Sequence, residues 1–268
     1  MKKNMFIWGL LVVLCSSCAI VPLTGRTQIG FIPAETMLSM SYQQHDEFLK
    51  SNKISADEIQ SRRVQVVGGR IKDAVEQYMS DNGLSHRLKN YQWEFTLIED
   101  PAVNAWCMPG GKVVVYTGIL PVAGDDNGLA VVIAHEIAHA IAEHGNERMS
   151  QAMLAQMGGT ALSVAMQNKP AQTQQLWMTV FNAGAQYGVL LPYSRLQENE
   201  ADHLGLIFMA MAGYDPRAAV TFWETMATSK AGGFNPEFLS THPSDESRIR
   251  NIRVKINDAL RYYTPRRD

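Results

Sequence analysis

The sequence predicts an α+β fold, mostly helical, with one small sheet set beside a buried helix. Three observations carry that expectation. Residues 131–139, Val-Val-Ile-Ala-His-Glu-Ile-Ala-His, form an apolar run between Asp125-Asp126-Asn127, good helix N-caps, and Gly145, a common C-terminal stop. Two short strand-like stretches, 92–98 and 112–116, lie either side of a Pro109-Gly110-Gly111 turn. Most of the remainder reads as long amphipathic or charge-free helical runs broken by Gly, Pro and Asn.

The chain has 268 residues, enough for a sizeable core, with a formal charge of −2 and 19% charged residues. No basic stripe suggests nucleic acid, and no acidic tail is present. Of the three cysteines, Cys15 and Cys18 sit in the N-terminal apolar run, which leaves Cys107 alone in the body and excludes a disulfide framework there.

Residues 1–17 read as a signal peptide: Lys2 and Lys3 form a charged start and Phe6 to Leu14 a short apolar core. The small residues before Cys18 resemble a bacterial lipobox, with Cys18 the lipidated first residue of the mature chain, although Cys15 stands where such motifs carry Leu. The competing expectation is an uncleaved anchor, because no charge occurs between Lys3 and Arg26. Both tether the body to a membrane. Residues 18–32 then form an extended, turn-rich linker, and 33–268 a single domain.

In chain order, a helix is expected after Pro33 to about Lys50, and a second from the capping box Ser55-Ala56-Asp57-Glu58 to Asn82-Gly83. Gly68-Gly69 within it marks close packing or a kink. The segment from Asn104 to Met108 should pair with 112–116 as a hairpin. A sheet edge there, at Asn104 and Ala105, could accept an extended peptide as another strand, whereas Trp106 and Met108 are expected in the core. Residues 149–168 and 171–194 are free of charge but carry seven glutamines, so they read as packed or mobile soluble helices rather than membrane spans, with ordinary packing favoured over a flexible cover near the active site. A helix from Pro192 to Ala212 follows, then one capped by Asp215-Pro216. The last helix carries Arg248, Arg250, Arg253 and Lys255, read as a solvated face.

The chemistry concentrates on His135-Glu136-x-x-His139. In a helix, residues four apart share a face, so both imidazoles can meet one metal ion with Glu136 beside it. A catalytic zinc takes three protein ligands and leaves one position open. His144 lies about 180° round from His135 on a continuing helix. Ala142 and Gly145 stand where a nearby third histidine would need Gly and His. Glu198, 59 residues beyond His139, is the better candidate, since Asp202 one turn later can hydrogen-bond a ligand imidazole and fix its tautomer. Glu200 lies on the other side of that helix.

His135-Glu136-Ile137-Ala138-His139, Glu198-x-x-Ala201-Asp202, Asn104-Ala105 before Pro109-Gly110-Gly111, and Thr241-His242-Pro243 occur in that order. Together they resemble the HtpX-like gluzincin metallopeptidases, the family that also holds the CAAX prenyl proteases. With Cys18 and Thr24-Gly25-Arg26 the chain is similar to that family's short bacterial lipoprotein branch. Longer relatives carry a helical-repeat extension that this sequence lacks, and Gly128 stands where relatives often have a helix former. The resemblance implies a zincin-like fold, one zinc ion, endopeptidase activity and protein quality control in the bacterial envelope. Its substrates would be unfolded or misassembled proteins. Zinc would be held by His135, His139 and Glu198, with Glu136 as general base. His242 is a candidate oxyanion donor, against a structural or latency-controlling role. Ala19 after Cys18 gives no inner-membrane retention signal and points to the outer membrane. The alternative is a membrane-anchored chaperone or assembly factor with a structural zinc, which normally needs four protein ligands, often Cys.

Overall fold

The computed structural model describes residues 18–22, 24–167, 175, 194–231, 237–242 and 246–265. Their elements, in chain order, are β1 (Cys18–Ile20), β2 (Thr27–Ile29), α1 (Ala34–Ser51), α2 (Glu58–Asp81), β3 (Glu94–Ile98), β4 (Ala105–Met108), β5 (Lys112–Tyr116) and α3 (Leu120–Ala123). There follow α4 (Asp126–Ile141), α5 (His144–Met166), α6 (Arg195–Met211), α7 (Ala218–Ala231), α8 (Glu237–Thr241) and α9 (Glu246–Ala259). The fold is mostly helical with a small sheet, as the sequence predicts. Two compact units result, Met1–Ala34 with Glu143–Leu191, and Glu35–Ala142 with Pro192–Asp268.

In the first unit, β1 and β2 form an antiparallel ribbon with Cys18 opposite Ile29. Its turn is closed by the Val21 N–H on the Arg26 carbonyl at 2.9 Å. The ribbon is fastened to the start of α5. Arg26 donates to both carboxylate oxygens of Glu147 at 2.7 and 2.8 Å, the Phe31 N–H to Ser150 Oγ at 2.8 Å, and the Asn146 amide to the Ile32 carbonyl at 2.9 Å. Beyond that point α5 departs from the expected ordinary packing: Met149, Met153, Met157 and Val164 are exposed. Residues 1–17 lie outside the described residues, as does nearly all of 171–194. Among the described residues, no helix is long and apolar enough to cross a membrane.

The second unit holds the three-stranded sheet, ordered β3-β5-β4, with β3 parallel and β4 antiparallel to β5. The hairpin forms as its turn chemistry dictates. Gly110 and Gly111 take φ of +88° and +85°, and side chains there would strike Tyr42 and Trp93. Helix α2 packs on β3 through Gly68, where an added methyl would lie 2.2 Å from the Phe95 ring, so that glycine serves close approach. The expected Ser55 cap is displaced by two residues. Asp57 accepts the Gln60 N–H at 2.9 Å, because a carboxylate is a strong acceptor and Ser55 Oγ is taken by the Asp57 N–H.

Helix α4 is buried along almost its whole length and begins at Asp125, whose carboxylate accepts the Gly128 N–H at 3.0 Å. The departure at Gly128 has a steric cause: a Cβ there would lie 1.9 Å from the Ala123 carbonyl oxygen. The helix stops at Ile141, four residues before the expected Gly145, and Glu143 takes φ +58° where α5 begins. Ser194 and Gln197 form a reciprocal capping box that starts α6. Helix α6 crosses α4 at Gly205, whose Cβ would lie 3.1 Å from the His135 backbone nitrogen. That close crossing brings the side chains one and two turns earlier, Asp202 and Glu198, up to His135.

Candidate metal centre and active site

Helix α4 presents His135 and His139 on one face, as a four-residue spacing requires. Their Nε2 atoms stand 3.1 Å apart. Glu198, from the first turn of α6, places Oε1 3.3 Å from His139 Nε2 and Oε2 3.6 Å from His135 Nε2. His242, just past α8, places Nδ1 3.2 Å from His135 Nε2 and 2.9 Å from Glu198 Oε1. Donor atoms of these four buried residues all lie within 4.8 Å of one another. Glu200 is buried as well but stands outside the group, and so does His144.

This donor set fits a zinc-sized cation. Asp202 Oδ1 lies 3.0 Å from His135 Nδ1, so the carboxylate accepts a hydrogen bond from the Nδ1–H and leaves the lone pair on Nε2. Burial favours the neutral imidazole of His135, against the pull of Asp202 and Glu198. Two ring nitrogens and a carboxylate turned toward one point make a donor set that suits zinc.

Glu136 is also buried. Its Oε1 lies 3.3 Å from His242 Nε2 without accepting a hydrogen bond. Burial pushes its carboxyl up to about 7, moderated by His242. Burial disfavours the charged forms of His242 and Glu198 too, but partners overcome it. Glu136 and Glu198 raise His242, and Arg248 with His242 hold Glu198 well below the usual carboxylate range.

Arg248 corrects the expectation of a solvated final helix. It is 4% exposed, and its guanidinium donates to Asp202 through Nε at 2.9 Å and NH2 at 2.8 Å while NH1 lies 2.5 Å from Glu198 Oε2. The sequence held a signal for this. Arg248, Ile252, Ile256 and Ala259 recur at helical spacing and are the buried face of α9, so Arg248 occupies a stripe position. Arg250 lies off that stripe and is exposed, as expected.

Strand β4 pairs with β5 as the hairpin expectation has it, and forms one of the two edges of the three-stranded sheet. The Tyr116 N–H on the Asn104 carbonyl at 3.2 Å sets a register in which Ala105 and Cys107 turn their peptide groups toward the open side. The Ala105 N–H is bonded there by its neighbour's Asn104 Oδ1 at 2.9 Å. Trp106 and Met108 are half-buried rather than core. Trp106 packs edge-on against Phe48, 4.9 Å between ring centres.

Residues 67–256 match the model of peptidase family M48. The mitochondrial metalloendopeptidase OMA1 of Schizosaccharomyces pombe is 39% identical over 175 residues, 64% of this chain and 49% of that protein. The human mitochondrial metalloendopeptidase OMA1 is 29% identical over 245 residues, 90% of this chain and 46% of that protein. The β-barrel assembly-enhancing protease of Escherichia coli is 30% identical over 171 residues, 62% of this chain and 34% of that protein. The chain thus spans about half or less of the length of these relatives. With the family match covering most of its length and the His135, His139 and Glu198 side chains converging within it, the chain belongs to peptidase family M48.

Proposed function

We propose that the chain is a zinc-dependent metalloendopeptidase that cleaves unfolded or misassembled proteins of a bacterial envelope. One observation carries the reading: a buried carboxylate, Glu136, stands beside a convergent His135, His139 and Glu198 donor set. His135, His139 and Glu198 would hold one zinc ion, which when bound supplies Lewis-acid polarisation and an acidified water.

The chain's own groups divide the remaining work. Glu136, free of a hydrogen bond at Oε1, accepts the proton of the attacking water and later delivers it to the leaving amine. Asp202 fixes the His135 tautomer. His242 faces both Glu136 and Glu198, where its imidazolium can donate to the developing oxyanion. The edge strand at Asn104 and Ala105 offers an extended peptide a backbone partner, with Asn104 Oδ1 leaving the Ala105 N–H as the peptide arrives.

Protein substrates accord with the relatives, which are named as metalloendopeptidases and as a β-barrel assembly-enhancing protease. The leader, Cys18 as acylation site and Ala19 after it favour a lipoprotein of the outer membrane, in the short bacterial branch of the family. Casein cleavage by the zinc-loaded protein tests the enzyme. Glu136→Gln should lower the rate by roughly 10²–10⁴-fold while zinc stays bound. Equal cleavage by both proteins would leave the chaperone alternative standing.

A further inference from the structure

The first unit carries an exposed apolar surface on α5. The ribbon covers one face of α5 in its first two turns, burying Asn146, Glu147 and Ser150. Continuing along that face, at 100° per residue, Met153, Met157 and Val164 fall within about 40° of one another, with Met149 and Thr160 beside them. All are exposed, Met157 by 64% and Val164 by 59%. From Met149 to Gln167 the helix carries no charged residue, and its polar members are Gln, Ser and Thr. An apolar helix face left exposed among the described residues calls for a partner.

The ribbon indicates which partner. Cys18 is paired with Ile29 across the ribbon, and two residues later Phe31 is bonded to Ser150, next to Met149. Arg26 on Glu147 and Asn146 on Ile32 fix the same segment to the same helix. The expected anchor residue therefore joins α5 without slack, and Ile20 beside it is 62% exposed.

We propose that the Met149–Met153–Met157–Val164 face of α5 lies in the lipid interface of the membrane that the acyl chains at Cys18 enter. The inference rests on the lipoprotein reading above. Helix α5 lies along the bilayer with its apolar side roughly 5–10 Å deep, as surface helices do, rather than crossing it. The acyl chains supply the hold. The Arg26–Glu147 clamp sets the orientation, so that a freely swinging tether becomes a docked unit.

The test uses full-length acylated protein with Met157→Cys and Cys107→Ala, carrying an environment-sensitive fluorophore at 157. It is reconstituted with vesicles of phosphatidylethanolamine and phosphatidylglycerol. The expected result is co-flotation with the vesicles, a blue-shifted emission and quenching by nitroxide-labelled lipid. Arg26→Ala should retain flotation but lose most of the quenching. Flotation with unshifted, unquenched emission would overturn the α5 face alone. Failure of the acylated protein to float would overturn the tether and the face together. Emission already blue-shifted in the unacylated Cys18→Ser protein without vesicles, and unquenched on adding them, would show that the protein covers the face itself and would also overturn the proposal.

Discussion

The guanidinium carbon of Arg248 lies 3.5 Å from the centre of the Trp223 ring, while its nitrogens bind Asp202. One cation is thus sandwiched between an aromatic face and the carboxylate that orients His135. Removing it leaves Asp202 and Glu198 as buried charges short of a partner. Arg248→Ala should destabilise the protein by roughly 3–5 kcal/mol, the usual effect of breaking a buried ion pair from one side. Arg250→Ala, on the exposed side of α9, should shift stability by no more than about 0.5 kcal/mol. Urea unfolding of both decides it, and equal midpoints would reject the structural role given to Arg248.

Arg248→Lys separates position from charge. Lysine keeps the cation but cannot fork onto Asp202 or stack its plane on Trp223. Zinc affinity should fall by about 10–100-fold, the typical effect of losing a partner that orients a ligand. A competition titration against a zinc chelator measures it. Unchanged affinity would mean that Asp202 holds His135 without help.

How much of this was legible in the sequence follows from the range over which each feature is determined. The His135–His139 helix with its Asp cap, the Pro109-Gly110-Gly111 hairpin and the one-turn spacing of Glu198 and Asp202 are local patterns of spacing and turn chemistry; the structure contains each of them, although the helix ends at Ile141 rather than at Gly145. Charge alone marks Arg248 as solvated, but its stripe partners Ile252, Ile256 and Ala259 outvote its polarity once Asp202 and Glu198 can neutralise it. Gly128 and Gly205 were not interpretable from sequence, because their reason is a neighbour brought close only by folding, the Ala123 carbonyl in one case and the His135 backbone in the other. The ribbon's grip on α5 joins Arg26 to a residue 121 positions away, beyond any local pattern.

Glycine substitutions test that distinction. Gly128→Ala drives a methyl into the Ala123 carbonyl at the very start of α4, and overpacking of this kind costs about 1–3 kcal/mol. Gly145→Ala meets nothing within 4 Å in α5 and should be neutral or stabilising by up to about 1 kcal/mol. Thermal melts of the two variants should move in opposite directions, or at least differ by several degrees. Equal shifts would mean that the start of α4 yields to accommodate the side chain.

Metal removal links the site to stability. Chelation should abolish cleavage and lower the melting temperature, and added zinc should restore both. Binding to the folded state alone stabilises by about 2.7 kcal/mol at a hundredfold excess over Kd. His139→Ala should abolish the zinc-dependent rise. A melt indifferent to zinc in the intact protein would exclude His135, His139 and Glu198 as its ligands.

The chelated protein should also show what the Glu136 carboxylate costs the fold. Burial pushes this carboxyl from an ordinary 4.5 up to about 7, so the folded chain binds its proton more tightly than the unfolded chain does. The stability from that protonation is complete below pH 4.5 and lost as pH rises through about 7. Asp202 and Glu198, held low by Arg248 and their imidazole partners, run the other way and lose their contribution as pH falls. Glu136→Gln removes the first effect, together with the part of the His242 shift that Glu136 supplies. In chelator at pH 8 the variant should therefore melt above the wild type, by an amount worth up to about 3 kcal/mol, since one pKa unit is about 1.4 kcal/mol. Toward pH 5 the gap should close. A gap that is independent of pH would show that Glu136 stays ionised in the metal-free fold, and its burial would then have to be balanced by the neighbouring His242.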